Sequence, residues 1–232
     1  MKRVSAETLN AVDVFKDLEI DERRVLAEQV VVRTYARNKQ VVAQDDDSKD
    51  IYFVISGKVR ARVFSVSGKE VDYQDLGPGE MFGELAAIDG QVRSAYVDTL
   101  AESTIASMPC EAFWTALMEH PSVARRTLLR LSGLVRMHCE RIFEFSTFSV
   151  NNRIHAELLR LARDASTRQF DIEVIDPPTH AEIASRVATH REAVTRELKH
   201  LEALGLIDWR PRCHVIRDVG ALQALVDEVR GH

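Results

Sequence analysis

The stretch Phe82-Gly83-Glu84-Leu85, followed closely by Arg93-Ser94-Ala95, combines a close-approach glycine, a carboxylate, a guanidinium and a hydroxyl. Glu84 can accept hydrogen bonds from sugar hydroxyls, and Arg93 can donate two charge-assisted bonds to phosphate oxygens. Ser94 adds a hydroxyl donor, and Gly83 lets the backbone approach a ligand. These groups suit a sugar joined to a phosphate. The alternative is that Glu84 and Arg93 form only a salt bridge under a loop.

Around this stretch the apolar residues repeat with a period of two. From Val30 to Met108, short segments rich in Val, Ile, Tyr and Phe alternate with turn signals such as Ser56-Gly57, Ser67-Gly68 and Gly77-Pro78-Gly79. Seven or eight short strands at this spacing predict a jelly-roll-like β-roll. Residues 83–88 interrupt the strands as one predicted helical turn, whose N-terminus would direct free N–H groups at an anion.

A long helix is predicted next, because Pro121 suits a first helical position. A row of residues, all apolar except His138, recurs along it with spacings of four and three, and we call this row the seam: Ala124, Leu128, Leu131, Val135, His138, Ile142 and Phe145. Such an a/d pattern is typical of helix pairing and predicts a homodimer, although the seam would also fit against the chain's own β-roll. His138 within the seam, with Cys139 beside it, is read either as a polar residue that fixes register or as a ligand contact.

The last third of the chain predicts two short helices joined by a tight turn. Thr179 caps the first helix, and Thr189 caps a second helix from His190 to Leu204 that Gly205 ends. A β-hairpin follows, with strands at 206–209 and 213–216. This series predicts a winged helix-turn-helix.

The second helix of this pair carries polar residues clear of its apolar face. Arg191, Glu192 and Arg196 occupy its first two turns, and arginine and glutamate can read guanine and cytosine edges. Residues assigned to the DNA backbone are Thr189, His190, Thr195, Arg210 and Arg212. The alternative is a solvated helix face stabilised by the Glu192–Arg196 pair.

The composition and net charge limit the classes of protein to which the chain can belong. The chain has 232 residues, a net charge of −5 and 45% hydrophobic residues, which is ordinary for a globular protein of one or two domains. Only a local excess of basic residues, at 186–217, fits a small nucleic-acid contact surface. We find no membrane-span length, signal-peptide core, or metal-ligand spacing among the cysteines and histidines, and so expect a cytoplasmic protein without a metal.

The chain resembles the cyclic-AMP receptor protein/FNR family of bacterial transcription regulators across nearly its full length. The motif FGEL…RSA looks like the family's phosphate-binding cassette, and Arg191-Glu192-Ala193-Val194-Thr195-Arg196 is similar to the R-E-x-x-x-R helix of its cyclic-AMP-responsive branch. The resemblance implies an α+β chain with a β-roll sensor domain at 1–120, a dimerisation helix at 121–148 and a winged helix-turn-helix at 149–232. It also implies a two-fold-symmetric operator on double-stranded DNA, with RNA polymerase as a further candidate partner.

The same resemblance assigns roles within the cassette. It implies Glu84 on the ribose 2′-hydroxyl, Arg93 and Ser94 on the cyclic phosphate, and Gly83 and Leu85 lining the pocket.

Two departures bear on these roles. Where cyclic-AMP sensors place Thr-Ser against adenine, this chain has His138-Cys139, so cyclic GMP stands beside cyclic AMP as effector. Asp45-Asp46-Asp47 replaces the glycine of the turn before Ile51.

Three hypotheses follow. The first is a cyclic-nucleotide-gated homodimer that binds DNA in a sequence-specific manner. The second keeps the DNA binding but has a vestigial or differently liganded sensor domain. The third, a metal-dependent barrel enzyme, lacks a ligand cluster or a nucleophile–base pair in the sequence, so no catalytic residue is assigned.

Overall fold

The computed structural model describes residues 2–3, 5–64, 70–166, 168–210 and 212–230. The chain folds as two compact units, Met1–Val135 and Arg136–His232. The predicted turn at Ser67-Gly68, and Pro211 in the predicted hairpin, lie outside the described residues.

The first unit is built mainly of strands, as predicted. Its described strands are β1 (Lys2–Arg3), β2 (Val31–Tyr35), β3 (Gln40–Val42), β4 (Ile51–Ser56), β5 (Val59–Phe64), β6 (Glu70–Leu76), β7 (Met81–Phe82), β8 (Tyr96–Thr99) and β9 (Ser103–Met108). Its helices are α1 (Ala6–Asn10), a 3₁₀ turn (Asp13–Phe15), α2 (Ile20–Ala27), α3 (Glu84–Asp89) and α4 (Cys110–Glu119). A further helix, α5 (Pro121–Thr147), starts in this unit and ends in the second.

Two antiparallel sheets form the β-roll. One has the strand order β1-β2-β9-β4-β7 and the other β3-β8-β5-β6. Successive side chains of β4 lie on opposite faces of its sheet. Val54 belongs to the apolar cluster between the two sheets, whereas Phe53 belongs to a second apolar cluster that includes residues of the helices. There Phe53 meets the ring of Phe15 edge-on, with centroids 5.1 Å apart.

The second unit starts within α5 and continues with mixed elements. They are α6 (Val150–Ala165), β10 (Phe170–Ile175), α7 (His180–Arg186), α8 (Arg191–Ala203), β11 (Ile207–Arg210), β12 (Cys213–Asp218) and α9 (Val219–Arg230). The three strands form a sheet in the order β10-β12-β11, and Trp209 of the β11–β12 hairpin pairs with His214. The fold class is therefore the one predicted, a β-roll, a long helix and a winged helix-turn-helix.

The element bounds correct the sequence prediction in two places. The prediction that Thr189 caps the second helix is wrong: His190 is the N-cap residue of α8, and no side chain caps it. The residues Ser149 to Asn152 predict a break with capping residues before a helix from Arg153 to Arg163, but that helix starts at Val150, because the Ser149 hydroxyl accepts a hydrogen bond from the Asn152 amide at 3.3 Å.

Hydropathy gives one further result. Among the described residues, no helix combines the length and the apolar character that a membrane crossing requires.

Candidate functional site

The cassette begins at Gly83, which joins β7 directly to α3. Gly83 is the N-cap residue of α3 and has a left-handed backbone, φ 79° and ψ 9°. A Cβ at this position would lie 2.6 Å from Nη1 of Arg93, closer than such atoms approach. Both the backbone conformation and the neighbouring guanidinium therefore require glycine here.

Arg93 is the centre of the cassette, with only 2% of the residue exposed. Its Nε donates to Ser48 Oγ at 3.1 Å, Nη1 to the Gly83 carbonyl at 3.0 Å, and Nη2 to the Asp50 carbonyl at 2.7 Å. An arginine has five N–H donors, so one remains on each terminal nitrogen. The guanidinium also lies over the ring of Tyr52, 5.4 Å from its centroid.

Glu84 lies in the first turn of α3 and is also buried, with 9% exposed. Burial raises the pKa of its carboxyl, and the charges of Arg130 and Arg93 oppose that rise. Within the described part of the chain, Glu84 and Arg93 do not form an ion pair; Arg93 has carbonyl and hydroxyl partners instead. The alternative of a simple salt bridge is therefore wrong. A buried guanidinium without a carboxylate partner is suited to an anionic ligand.

The acid-rich loop before β4 holds Arg93 in place. Asp45 takes the left-handed conformation, φ 63°, which aspartate tolerates better than most residues. Its amide donates to the Arg93 carbonyl at 2.9 Å, and the Arg93 amide donates to the Asp46 carbonyl at 3.0 Å. The Asp46 carboxylate accepts from the Ser48 amide at 2.7 Å, and its bonds with Ser48 lower the pKa of Asp46.

Ser48 was missed by the sequence reasoning, although its hydroxyl contacts the central arginine. Its only signal is the Asp46-x-Ser48 spacing, which is typical of an Asx turn.

The other predicted ligand residues fall in two groups. Leu85 and Ser94 are exposed and belong to the same unit as Gly83, Glu84 and Arg93. His138 and Cys139 are exposed on the part of α5 that belongs to the second unit.

Part of the seam of α5 faces solvent in this chain. Among its apolar members, Leu128 is 65% exposed, Val135 62% and Ile142 65%. The alternative that the seam packs on the chain's own β-roll is therefore wrong for Leu128 and Val135, which lie in the same unit as the β-roll.

In the second unit, α7 and α8 form the predicted helix-turn-helix. Thr179 and Glu182 form a capping box at the start of α7, as their spacing indicates. The turn passes through Ala188, whose φ of 52° is left-handed, and the Thr189 amide then donates to the Ala184 carbonyl at 2.9 Å. The buried face of α8 consists of Val194, Glu197, Leu198 and Leu201.

The predicted base-reading residues all face solvent. Arg191, Glu192 and Arg196 are exposed on α8, and His190 is exposed at its start. Thr195 differs, since its hydroxyl donates to the Arg191 carbonyl at 2.9 Å and contacts His180 Nδ1 at 2.7 Å. Its assignment to a DNA phosphate remains a prediction, and Thr189 is only half exposed.

The β11–β12 hairpin carries the remaining predicted basic residues. Arg210 and Arg212 are exposed, and the Arg210 guanidinium donates through Nε to Asp208 at 2.8 Å. Arg212 has a positive φ of 65° next to the hairpin turn. The structure thus places these arginines and the polar face of α8 in one unit.

A β-roll followed by a long helix and a winged helix-turn-helix is the domain order of a DNA-binding transcription regulator with an N-terminal sensor domain. The family model for the cyclic nucleotide-binding domain matches residues 32–120, and that for the Crp-like helix-turn-helix domain matches residues 152–225. The chain belongs to the cyclic-AMP receptor protein/FNR family of transcription regulators.

Similar proteins agree with this assignment. The cyclic AMP receptor protein of Thermus thermophilus is 28% identical over 193 residues, 83% of this chain and 87% of that protein. The CRP-like cAMP-activated global transcriptional regulator of Mycobacterium tuberculosis is 26% identical over 213 residues, 91% of this chain and 95% of that protein. The structure of a CooA mutant from Carboxydothermus hydrogenoformans shares the fold, with a TM-score of 0.79 at 18% identity over 94% and 95% of the two chains.

Family membership settles the class of activity. The homologues are transcription regulators and not enzymes, which leaves the barrel-enzyme hypothesis without support. The Crp-like helix-turn-helix implies DNA binding, and regulators of this family act as dimers.

Proposed function

We propose that this chain is a cyclic-nucleotide-gated transcription regulator, with cyclic AMP as its effector, that binds a two-fold-symmetric operator as a homodimer. The buried Arg93, whose guanidinium has carbonyl and hydroxyl partners and no ion pair with the buried Glu84, carries the proposal. The cyclic-AMP-linked names of the Thermus and Mycobacterium relatives support the choice of nucleotide. Such a regulator works in the cytoplasm, where bacterial DNA lies, and RNA polymerase is its proposed further partner.

In this proposal the cyclic phosphate binds the two remaining N–H groups of Arg93 and the Ser94 hydroxyl. Both bonds to Arg93 are charge-assisted and shielded from water by the burial of the guanidinium. Glu84 accepts a hydrogen bond from the ribose hydroxyl, and Gly83 and Leu85 line the pocket. No metal is part of the proposal.

The base of the nucleotide is assigned to the long helix, through His138 and Cys139. Because these residues replace the Thr-Ser pair of cyclic-AMP sensors, cyclic GMP is the second candidate effector. The same replacement favours, as a second candidate function, a DNA-binding regulator whose sensor domain is vestigial or takes another small molecule.

Thermal unfolding with added nucleotide tests the effector. At 100 times its dissociation constant, a nucleotide that binds only the folded chain adds about 2.7 kcal/mol of stability, so the melting temperature should rise with cyclic AMP. Adenosine 5′-monophosphate, which lacks the cyclic phosphodiester, is the control and should give a smaller rise. A rise with cyclic GMP alone would reassign the base, and no rise with either would favour the vestigial sensor domain.

Replacing Arg191 by alanine tests the DNA assignment. Arg191 is exposed in the first turn of α8, and we expect its loss to relax base preference at one position per half-site, with half-sites about one helical turn (~34 Å) apart. A bidentate contact to guanine is worth about 1–3 kcal/mol of discrimination. Lys199→Ala, an exposed residue farther along the same helix, should leave base preference unchanged. Selection from random duplexes measures both; uniform weakening by Arg191→Ala would mark a phosphate contact instead.

A further inference from the structure

A buried group of charges in the second unit lies outside both the nucleotide cassette and the predicted DNA-binding surface. At its centre is Glu157 of α6, with only 2% of the residue exposed. Its carboxylate accepts hydrogen bonds from Arg141 of α5, Arg160 of α6 and Arg186 of α7, each at 3.0 Å. Glu144 of α5, also buried, accepts from Arg160 at 2.8 Å. One carboxylate thus joins three consecutive helices.

Two arginines extend this group to the turn of the helix-turn-helix. Arg141 Nη1 donates to the carbonyl of Arg186, the last residue of α7, at 3.2 Å. Arg153 of α6 donates through Nε to the next carbonyl, that of Val187, at 3.0 Å. We call Arg141, Arg153, Glu157 and Arg186 the turn clamp. Guanidiniums are favourable partners for the unpaired carbonyls at the end of a helix.

The turn clamp lies close enough to the start of α8 to influence the orientation of that helix. Only Val187, Ala188, Thr189 and His190 separate the end of α7 from the start of α8. Ala188 holds a left-handed conformation there, which an alanine keeps only where neighbouring contacts impose it. Fixing the carbonyls at Arg186 and Val187 therefore fixes the direction in which α8 leaves the turn.

We propose that the turn clamp positions the recognition helix α8 for DNA, and that Arg141 is the positioning residue that ties it to the dimerisation helix. Arg141 is distinct within the clamp because it comes from α5, whose seam is the proposed dimer contact. The inference rests on the proposed function for the identity of the DNA ligand, but not for the contact between α5 and the turn.

The surrounding charges make Arg141 a suitable position for a substitution. Arg141, Arg160 and Arg186 all pair with the carboxylate of Glu157, and Arg160 also pairs with that of Glu144. Burial lowers the pKa of Arg141; the charges of Glu157 and Glu144 oppose this shift, and those of Arg160 and Arg186 add to it. Replacing Arg141 by glutamine leaves Arg160 and Arg186 on Glu157, so this carboxylate keeps two guanidinium partners. The chain should therefore stay folded while the bond to the Arg186 carbonyl is weakened or lost.

The test compares Arg141→Gln with Arg136→Gln, an exposed arginine on the same helix. The DNA probes are a duplex that the wild-type chain selects from a random pool and a scrambled duplex of equal length. For Arg141→Gln we expect affinity for the selected duplex to fall about 10-fold, with affinity for the scrambled duplex and for cyclic AMP unchanged. Arg136→Gln should match the wild-type chain. Unchanged affinity of Arg141→Gln for the selected duplex would overturn the proposal.

A second measurement needs neither DNA nor nucleotide. The Thr189 amide, which donates to the Ala184 carbonyl across the turn, should exchange its hydrogen about 10-fold faster in Arg141→Gln than in Arg136→Gln. Equal exchange would also overturn the proposal. If cyclic AMP does not bind the wild-type chain, the proposed effector is wrong. The affinity for the selected duplex and the exchange of the Thr189 amide still test the turn clamp in that case.

The variant Arg141→Lys distinguishes a positioning role of the guanidinium from an effect of its charge alone. It also provides a test if Arg141→Gln proves too unstable to measure. Lysine keeps the charge but lacks the planar fork that reaches Glu157 and the Arg186 carbonyl together. We expect a fall in selected-duplex affinity between those of the wild-type chain and Arg141→Gln. Wild-type affinity together with wild-type exchange at Thr189 in Arg141→Lys would overturn the positioning role.

Discussion

Replacing Glu157 by glutamine should destabilise the second unit by about 3–5 kcal/mol. The carboxylate is buried and holds Arg141, Arg160 and Arg186, so its neutralisation leaves three partly buried positive charges facing one another. Breaking a buried ion pair by removing one partner has an effect of that size. Denaturant unfolding followed by the fluorescence of Trp209, in a Trp114→Phe background, measures the loss in this unit.

The control for this experiment is Glu140→Gln. Glu140 is exposed on α5, and substitutions at such positions usually change stability by less than about 0.5 kcal/mol. If Glu157→Gln unfolds at the same denaturant concentration as Glu140→Gln, the ion cluster contributes little net stability.

The same carboxylate predicts how stability depends on pH. Burial alone would raise the pKa of Glu157, but the three arginines outweigh it and lower the pKa from 4.5 to about 2. Because the folded-state pKa is depressed, the contribution is fully present above about pH 4.5 and is lost as pH falls towards about 2. The stability difference between the wild-type chain and Glu157→Gln should therefore shrink over this window. A difference that stays constant down to pH 2.5 would contradict the assignment.

Replacing Arg93 by alanine should weaken cyclic AMP binding by about 100-fold or more, because two charge-assisted bonds to the phosphate are lost. The operator affinity measured with nucleotide should then fall to its nucleotide-free value. Arg93→Lys keeps the charge but cannot reproduce the contacts with the Gly83 and Asp50 carbonyls, so we expect little recovery. Titration calorimetry with cyclic AMP gives the affinities.

Arg37→Ala serves as the matched control, because Arg37 is an exposed arginine of the same unit. It should bind cyclic AMP like the wild-type chain. Full nucleotide response in Arg93→Ala would show that the phosphate binds elsewhere.

Local signals in the sequence predicted most of the fold. Alternating apolar residues and turn residues located the strands of the β-roll, and Pro121, Thr179 and Gly205 lie at or next to helix ends. The start of α8 was misplaced because the tight turn uses the Thr189 amide to bond Ala184, which leaves His190 as the N-cap residue.

The site was predictable only in part. Gly83, Glu84 and Arg93 form a recognisable motif, and the structure places all three in the cassette. The partners of Arg93, Ser48 and the Asp50 carbonyl, lie more than forty residues earlier in the chain, so no local pattern identifies them. The turn clamp was not predicted for the same reason. In the sequence its arginines look like ordinary solvated charges, and only the packing of α5, α6 and α7 brings them together.

The polar, exposed face of α8 has a consequence for how the DNA specificity of related chains can change in evolution. Arg191, Glu192 and Arg196 point to solvent, whereas Val194, Leu198 and Leu201 hold the helix in place. In the proposed function, folding and sequence preference are thus carried by different residues of one helix. Duplicated copies of the chain can therefore acquire new operators through substitutions at the exposed positions without losing their fold, and the same three positions are the natural ones to randomise in a search for altered specificity.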